Sequence, residues 1–209
     1  NTTPTISGIS LNPFSGIYND TTIACSATVT DPDETLSVSY SWLVNTTPVG
    51  SSSTIDLGTT SAQTGDSIYC TASATDSSGS SDSESTFVTV ENRSPSTPST
   101  VTISPTSPTE GEDDLICSAS GSTDADGDSV SYTYSWSSSA GASSTGYMVG
   151  AYATSGGEVW TCSAVATDGS GTSSAGTATV TIESAATCYV TDCDASVALN
   201  SSGTIGIDF

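Results

Sequence analysis

The chain contains no histidine and no lysine, and Arg93 is the one basic residue among its 209. The Ser-His-Asp, Cys-His and Ser-Lys nucleophile systems are therefore excluded, because each needs a base that this sequence does not supply. Carboxylate pairs could serve glycoside hydrolysis, but the Asp residues fall in short polar turns without an apolar pocket to raise a pKa. The sequence therefore predicts a protein that is not an enzyme and requires no cofactor.

Positive charge is nearly absent, whereas 23 acidic residues give the chain a net charge of -22. Such a surface repels nucleic acid and anionic membranes and attracts cations. The sequence also has no apolar run near the roughly 18 residues of a membrane span. We therefore predict no nucleic-acid partner and no membrane insertion in this segment. Two explanations of the acidity stay open, a saline habitat and specific cation binding.

Apolar side chains are scarce, with 34% hydrophobic and 7% aromatic residues. Small domains with thin cores usually need covalent staples. Six cysteines are present, and their even number indicates an oxidising compartment. We therefore expect an extracellular or cell-surface location.

The cysteines belong to an internal repeat with a period of about 92 residues. In each copy a tryptophan lies between two cysteines that are 45 positions apart. The recurring residues are Cys25, Trp42, Cys70 and Asp76 in the first copy, and Cys117, Trp136, Cys162 and Asp168 in the second. This predicts domains at 1–91 and 92–184, followed by an extension at 185–209. Because Asn1 lies in repeat register, further copies are expected ahead of it.

Apolar and polar residues alternate along short segments of each copy, as in β-strands with one buried face. The segments are 5–11, 23–29, 36–44, 55–57, 68–74 and 86–90, then 101–103, 115–119, 130–136, 160–166 and 178–182. Each repeat cysteine and tryptophan shares the phase of the apolar residues, so these side chains should point inward. The repeat and this phase together predict the disulfides Cys25–Cys70 and Cys117–Cys162, and leave Cys188 to pair with Cys193.

Several motifs add a resemblance to a known family. Cys…Trp…Cys, Thr-Asp-Ala-Asp-Gly-Asp at 123–128, Tyr-Ser-Trp at 134–136 and Ala-Thr-Asp at 166–168 are similar to tandem Ig-like domains of the PKD type. The resemblance covers residues 1 to about 184. It implies an all-β fold of two disulfide-pinned β-sandwiches in a secreted or surface protein of archaea or bacteria. Antibody-type domains carry a tyrosine two residues before the second cysteine, where this chain has Ile68 and Trp160.

The last 25 residues do not continue the repeat. Cys188 and Cys193 are close enough to close a small disulfide loop, and 197–199 with 205–207 form a predicted hairpin. Three interpretations stay open. The segment is a satellite hairpin on the second repeat, the start of a further domain, or a strand donated to a neighbouring subunit. Gly-Ile-Asp-Phe at 206–209 faintly resembles the lead-in to formylglycine-generating-enzyme-like domains.

Acidic residues cluster after the strands that carry the cysteines. The turns after the first-cysteine and second-cysteine strands lie at the same end of an Ig-like sandwich. Alternate Asp residues can present several oxygens to one ion, which suits Ca²⁺. The predicted calcium ligands are Asp31, Asp33 and Asp76 in the first copy and Asp124, Asp126, Asp128 and Asp168 in the second.

Five of the six asparagines begin an Asn-x-Ser/Thr sequon. These candidate glycosylation sites are Asn1, Asn19, Asn45, Asn92 and Asn200. In a chain so rich in Ser and Thr, some of these matches are expected by chance.

Three functions fit these features. The first is a structural module, a spacer or stalk of an extracellular surface protein or fibre, with neighbouring repeats or identical subunits as partners. The second is an adhesive or carbohydrate-binding module that uses its end loops, with the divergent segment 137–157 of the second copy as the place for specificity. The third is a filament subunit that assembles through its C-terminal strands.

Overall fold

The computed structural model describes residues 1–186 and, beyond them, the backbone of two short strands at 198–199 and 205–206. Within 1–186 the chain forms β-strands and two short 3-10 helices, with no α-helix. It divides into two compact units. The first comprises Asn1–Pro98, Gly121–Tyr132 and Val165–Ser174; the second comprises Ser99–Ser120, Thr133–Ala164 and Ala175–Phe209.

The first copy folds into two antiparallel sheets. One has the order β1-β2-β5 and the other the order β4-β3-β6-β7. The strands are β1 Thr5–Asn12, β2 Thr22–Thr30, β3 Ser39–Val44, β4 Thr47–Gly50, β5 Thr54–Asp56, β6 Ser67–Thr75 and β7 Ser81–Thr89. A 3-10 helix, Leu57–Thr59, follows β5 directly.

The second copy repeats this arrangement with sheets of order β12-β9-β8 and β11-β10-β13-β14. Its strands are β8 Thr100–Ser104, β9 Leu115–Ser120, β10 Ser131–Ser138, β11 Ser143–Thr145, β12 Met148–Val149, β13 Val159–Thr167 and β14 Gly176–Thr181. A 3-10 helix, Ala151–Ala153, follows β12.

A disulfide joins the two sheets of each copy. Cys25 on β2 bonds Cys70 on β6, and Cys117 on β9 bonds Cys162 on β13. In the first copy the buried tryptophan lies on β3, next to β6. A cross-sheet disulfide with a neighbouring buried tryptophan is the core of an Ig-like sandwich. The fold is therefore all-β, with tandem disulfide-bearing β-sandwiches, as the sequence predicts.

The cores are small, so the disulfides matter for stability. The first core surrounds Trp42 with residues such as Ile23, Ile68 and Leu57. In the second core Trp136 and Trp160 meet edge to face, with ring centroids 6.5 Å apart. Each disulfide closes a loop of 45 residues. By the chain-entropy model such a loop stabilises the folded state by about 4 kcal/mol.

Two strand predictions need correction. Leu57 was expected to continue a strand, but it begins the 3-10 helix, because Asp56 caps that turn by accepting a hydrogen bond from the Gly58 amide. The strand expected at 86–90 is longer, since β7 spans Ser81–Thr89. Its first half carries polar residues at the edge of the sheet, where apolar alternation gives no signal.

The predicted C-terminal hairpin is present in part, because β15 Ala198–Leu199 pairs antiparallel with β16 Ile205–Gly206. Cys188, Cys193 and Asn200 lie outside the described residues, and the predictions made for them remain predictions. Among the residues that the structure describes, no helix is long and apolar enough to cross a membrane.

Candidate functional site

The predicted calcium ligands of the first copy lie where the chain enters the sandwich. Asp76, directly after β6, is buried and accepts hydrogen bonds from the Asn1 side-chain amide at 2.7 Å and from the Ser78 and Ser80 amides. Asp33 accepts the Thr2 amide. We call Asn1, Thr2, Asp33 and Asp76 the first entry site. There the predicted metal ligands accept hydrogen bonds from the entering chain.

The second copy builds the same site from equivalent residues. Asn92 donates from Nδ2 to Asp168 at 3.0 Å, and Asp168 also accepts the Ser170 and Gly171 amides. The Arg93 amide donates to Asp126, as the Thr2 amide does to Asp33. The second entry site therefore comprises Asn92, Arg93, Asp126 and Asp168. Its recurrence shows that the contacts belong to the repeating fold.

Arg93, the single basic side chain, extends the second entry site within the first compact unit. Its Nε donates to Asp126 at 2.8 Å, and the Asp126 side chain is only 2% exposed. Its terminal nitrogens donate to Asp20 at 3.1 Å and to the Asn19 side-chain oxygen at 3.1 Å. The guanidinium carbon also lies 4.7 Å from the centre of the Tyr18 ring, a cation–π distance.

These hydrogen bonds change the acidity of the entry-site carboxyls. The Asn1 amide, with the Ser78 and Ser80 groups, lowers the pKa of Asp76 from 3.8 to about 2, although burial opposes the shift. The Asn92 amide, with the Gly171 and Ser170 amides, lowers the pKa of Asp168 in the same direction. Hydrogen bonds to the ionised form favour it, so both residues hold the entering chain as carboxylates.

The remaining predicted calcium ligands form turns that precede the entry-site acids. Asp31 Oδ1 accepts the Asp33 amide at 2.7 Å, and Asp124 Oδ1 accepts the Asp126 amide at 2.8 Å. The other oxygen of each carboxylate is buried without a hydrogen-bond partner. Within residues 1–186, no group of three or more acidic, His or Cys side chains is arranged to hold a metal ion. The calcium prediction, including Asp128, stays a prediction.

The described sequons differ in what their amides do. Both Asn1 and Asn92 make two hydrogen bonds through Nδ2. Asn19 is half-buried and donates to the Asp126 carbonyl at 2.7 Å. Asn45 is exposed on the β3–β4 turn with a φ of 53° and donates one hydrogen bond, to Asp66. The pairing of the sequon residues Asn1 and Asn92 with the predicted metal ligands Asp76 and Asp168 was not foreseen.

No protein-family model matches the chain, and no curated protein matches it either. Several solved structures are similar. A segment of two fibronectin type III domains from chicken tenascin is 11% identical, with a TM-score of 0.43 over 84% of this chain and 98% of that one. An amphioxus IgVJ-C2 molecule is 15% identical, with a TM-score of 0.42 over 80% and 98% of the two chains.

A third similar structure comprises three N-terminal domains of the outer capsid protein Hoc of bacteriophage RB49. It is 20% identical, with a TM-score of 0.31 over 87% of this chain and 59% of that one. Identities of 11% to 20% across these three structures leave the likeness at the level of the fold.

Proposed function

We propose that this chain is a non-enzymatic structural module, a spacer of PKD-like repeats in an extracellular surface protein. The supporting observation is the entry site, which occurs in both copies with equivalent residues. A spacer must not swivel freely where one repeat follows another. Asn92 and Arg93 hold the linker through three charge-assisted hydrogen bonds to Asp126 and Asp168, which are stronger than neutral ones.

The composition of the linker supports the same role. Asn92–Pro98 contains Pro95 and Pro98, both buried, and proline fixes φ and restricts the preceding residue. Ser96 donates its amide to the Thr123 carbonyl and accepts the Thr123 amide through Oγ. The linker is therefore held along its length, unlike a Gly/Ser-rich linker that behaves as a random coil. The two disulfides favour an extracellular setting.

Single-molecule energy transfer tests the spacer. Dyes would be attached at cysteines introduced at the exposed positions Ser51 and Ser107, with the native disulfides intact. A spacer gives one narrow distance distribution, which should broaden in Arg93→Met together with Asp168→Ala. Asp20→Asn is the control, since the Asp20 carboxyl is 61% exposed and contacts a terminal nitrogen of Arg93. A broad distribution in the unmodified protein would contradict the proposal.

An adhesive module is the second candidate function. It is favoured by an exposed apolar surface on the second copy that shares no residue with the entry sites. Filament assembly through the C-terminal strands concerns residues that lie mostly outside the described part of the chain. Deletion of 185–209 tests it, because the hypothesis requires that this truncation leave a soluble monomer.

A further inference from the structure

An apolar cluster lies on the outer face of the sheet β12-β9-β8. Leu115 and Val149 pair across β9 and β12 and are both buried, so their side chains face the core. The neighbouring pair, Ile116 and Met148, must therefore face outward, because successive side chains of a strand point to opposite faces. Ile116 is 42% exposed and Met148 is 43% exposed.

Tyr152 completes this cluster, which we call the outer face. Gly150 follows β12 with extended backbone, φ -70° and ψ 145°. A side chain at position 150 would therefore lie on the same face of the sheet as Met148, because alternate residues of an extended segment share a face. A Cβ at Gly150 would lie 2.6 Å from Cε1 of Tyr152, which places the ring over Gly150. The Tyr152 side chain is 94% exposed. The Asp114 carboxylate accepts the amide of Ala151, the residue before Tyr152, at 2.8 Å.

The first copy has the same scaffold without these side chains. Ala24 pairs with Thr54 next to the buried pair Ile23–Ile55, at the positions of Ile116 and Met148. Gly58 is the middle residue of its 3-10 helix, where the second copy has Tyr152. The fold therefore does not need large apolar residues here. An exposed apolar cluster that the fold does not need marks an interaction surface.

Charge narrows the choice of ligand. The chain carries -22 and its one basic residue, Arg93, is bound by Asp126 and Asp20, so the outer face has no cation to offer. Anionic polymers and a second copy of this chain are repelled. A neutral sugar has a weakly positive C–H face that stacks on the negative face of an aromatic ring. Its hydroxyls could donate to the Asp114 carboxylate.

We propose that the outer face, formed by Ile116, Met148 and Tyr152, binds a neutral polysaccharide. The proposal goes beyond the spacer function and does not depend on it, because the outer face shares no residue with the entry sites. A failure of this proposal would therefore leave the energy-transfer test of the spacer unaffected.

Retention of the whole chain on insoluble polysaccharides tests the proposal. The probes are cellulose, chitin and a β-1,3-glucan, with calcium-gelled alginate as the anionic control. We expect retention on at least one neutral polysaccharide, and about tenfold weaker binding in Tyr152→Ala, since an aromatic contact of about 1.4 kcal/mol corresponds to tenfold. The triple variant Ile116→Ala, Met148→Thr, Tyr152→Gly restores the residues of the first copy and should abolish retention.

Phe14→Ser is the matched control, because Phe14 is an exposed aromatic residue of the first copy and should bind as the unmodified protein does. Near-ultraviolet circular dichroism would confirm that each variant is folded. Retention on no neutral polysaccharide, equal retention of Tyr152→Ala, or equal retention on alginate would each overturn the proposal. So would a dimer of the unmodified chain that Tyr152→Ala converts to monomer, since a second copy would then cover the outer face.

Discussion

At the scale of single residues, the one basic side chain of the sequence has a specific position. Arg93 follows Asn92 in the linker, and its side chain meets Asp126, Asp20, Asn19 and Tyr18. With 23 acids in the chain, a basic residue could find a partner almost anywhere on the surface. Its partner Asp126 is nearly fully buried, which makes this ion pair different from an exposed one.

Replacement of Arg93 by Met should lower the free energy of unfolding by about 1–3 kcal/mol. The reason is that Asp126 would keep a buried charge without its side-chain partner. The methionine retains an apolar stem over Tyr18. Urea denaturation gives the value, and Asp20→Asn, which removes an exposed partner, should change it by less than about 0.5 kcal/mol. Equal effects of the two substitutions would contradict a special role for Asp126.

The sequons give a second prediction at this scale. After secretion from a glycosylating host, Asn45 should carry a glycan, whereas Asn19 and Asn92 should not. The Asn45 side chain is exposed, and glycosylation leaves it one N–H for Asp66. Asn92 uses Nδ2 for two hydrogen bonds, to Asp168 and to the Arg93 carbonyl.

Mass spectrometry of peptides released by the protease Glu-C locates the glycans. Trypsin is unsuitable because it has a single cleavage site in the chain. Thr47→Ala is the control, because it removes the sequon and leaves Asn45 in place. A glycan on Asn92 of the folded protein would refute the prediction.

At the scale of elements, the loop after each second-cysteine strand is organised by one carboxylate. Asp76 accepts the Ser78 amide at 2.9 Å and the Ser80 amide at 2.8 Å, so it closes its own turn while it holds Asn1. Asp168 does the same with the Ser170 and Gly171 amides while it holds Asn92. Each carboxylate therefore couples a loop to the segment that enters the sandwich.

This coupling predicts a loss of stability in acid. The pKa of Asp76 is about 2 in the folded chain and 3.8 ordinarily, so the unfolded chain binds more protons between these values. The stabilisation is complete above about pH 4 and is lost as the pH falls through 2. Thermal unfolding from pH 5 to pH 2 should show it, with a smaller dependence in Asp76→Asn. An equal dependence in the variant would rule out Asp76 as a cause.

The calcium hypothesis also belongs to these loops. It requires Ca²⁺ to use Asp124 and Asp31, each of which has one buried oxygen without a hydrogen-bond partner, because Asp126 and Asp168 already accept hydrogen bonds. The melting temperature should then be higher in Ca²⁺ than in chelator at equal ionic strength. The increase should be smaller in Asp124→Asn. Identical melting with and without chelator at low salt would remove the hypothesis.

At the scale of the whole molecule, stability reflects a balance between disulfides and charge repulsion. The cores are small, and within residues 1–186 a cross-sheet disulfide joins the sheets of each sandwich. Against them stands a net charge of -22 over 209 residues, which repels itself more strongly in the compact state. Salt weakens this repulsion, since the Debye length falls from about 30 Å at 0.01 M to about 10 Å at 0.1 M.

The melting temperature should therefore rise by several degrees when NaCl increases from about 0.01 M to about 0.5 M. Differential scanning calorimetry measures the change, and KCl at equal concentration is the control for a specific sodium effect. The partly buried Arg93–Asp126 pair is screened less than exposed charges and should not reverse the trend. A melting temperature that falls with salt would show that ion pairs outweigh the repulsion.

The sequence by itself determined the repeat, the strand phases and the chemistry that is absent. Cys25, Trp42 and Cys70 could be placed inside because alternation along a strand decides which face a side chain takes. Because the sequence lacks His and Lys, nucleophile systems that use these residues as a base could be excluded without a structure. Strand alternation did not predict the 3-10 helix at Leu57 or the polar half of β7, because a helix cap and an edge strand show no apolar alternation.

The tertiary structure alone decided what the acidic and amide side chains do. Asn1 meets Asp76 across 75 positions, and Arg93 meets Asp126 across 33. No local pattern encodes such contacts, because they depend on how two stacked sheets bring their end loops to the entering chain. The same holds for the outer face, where strand pairing sets Met148 opposite Ile116 and a 3-10 turn places the Tyr152 ring over Gly150. Strand alternation is local and can be read from the chain, whereas contacts between loops are set only when the sheets pack.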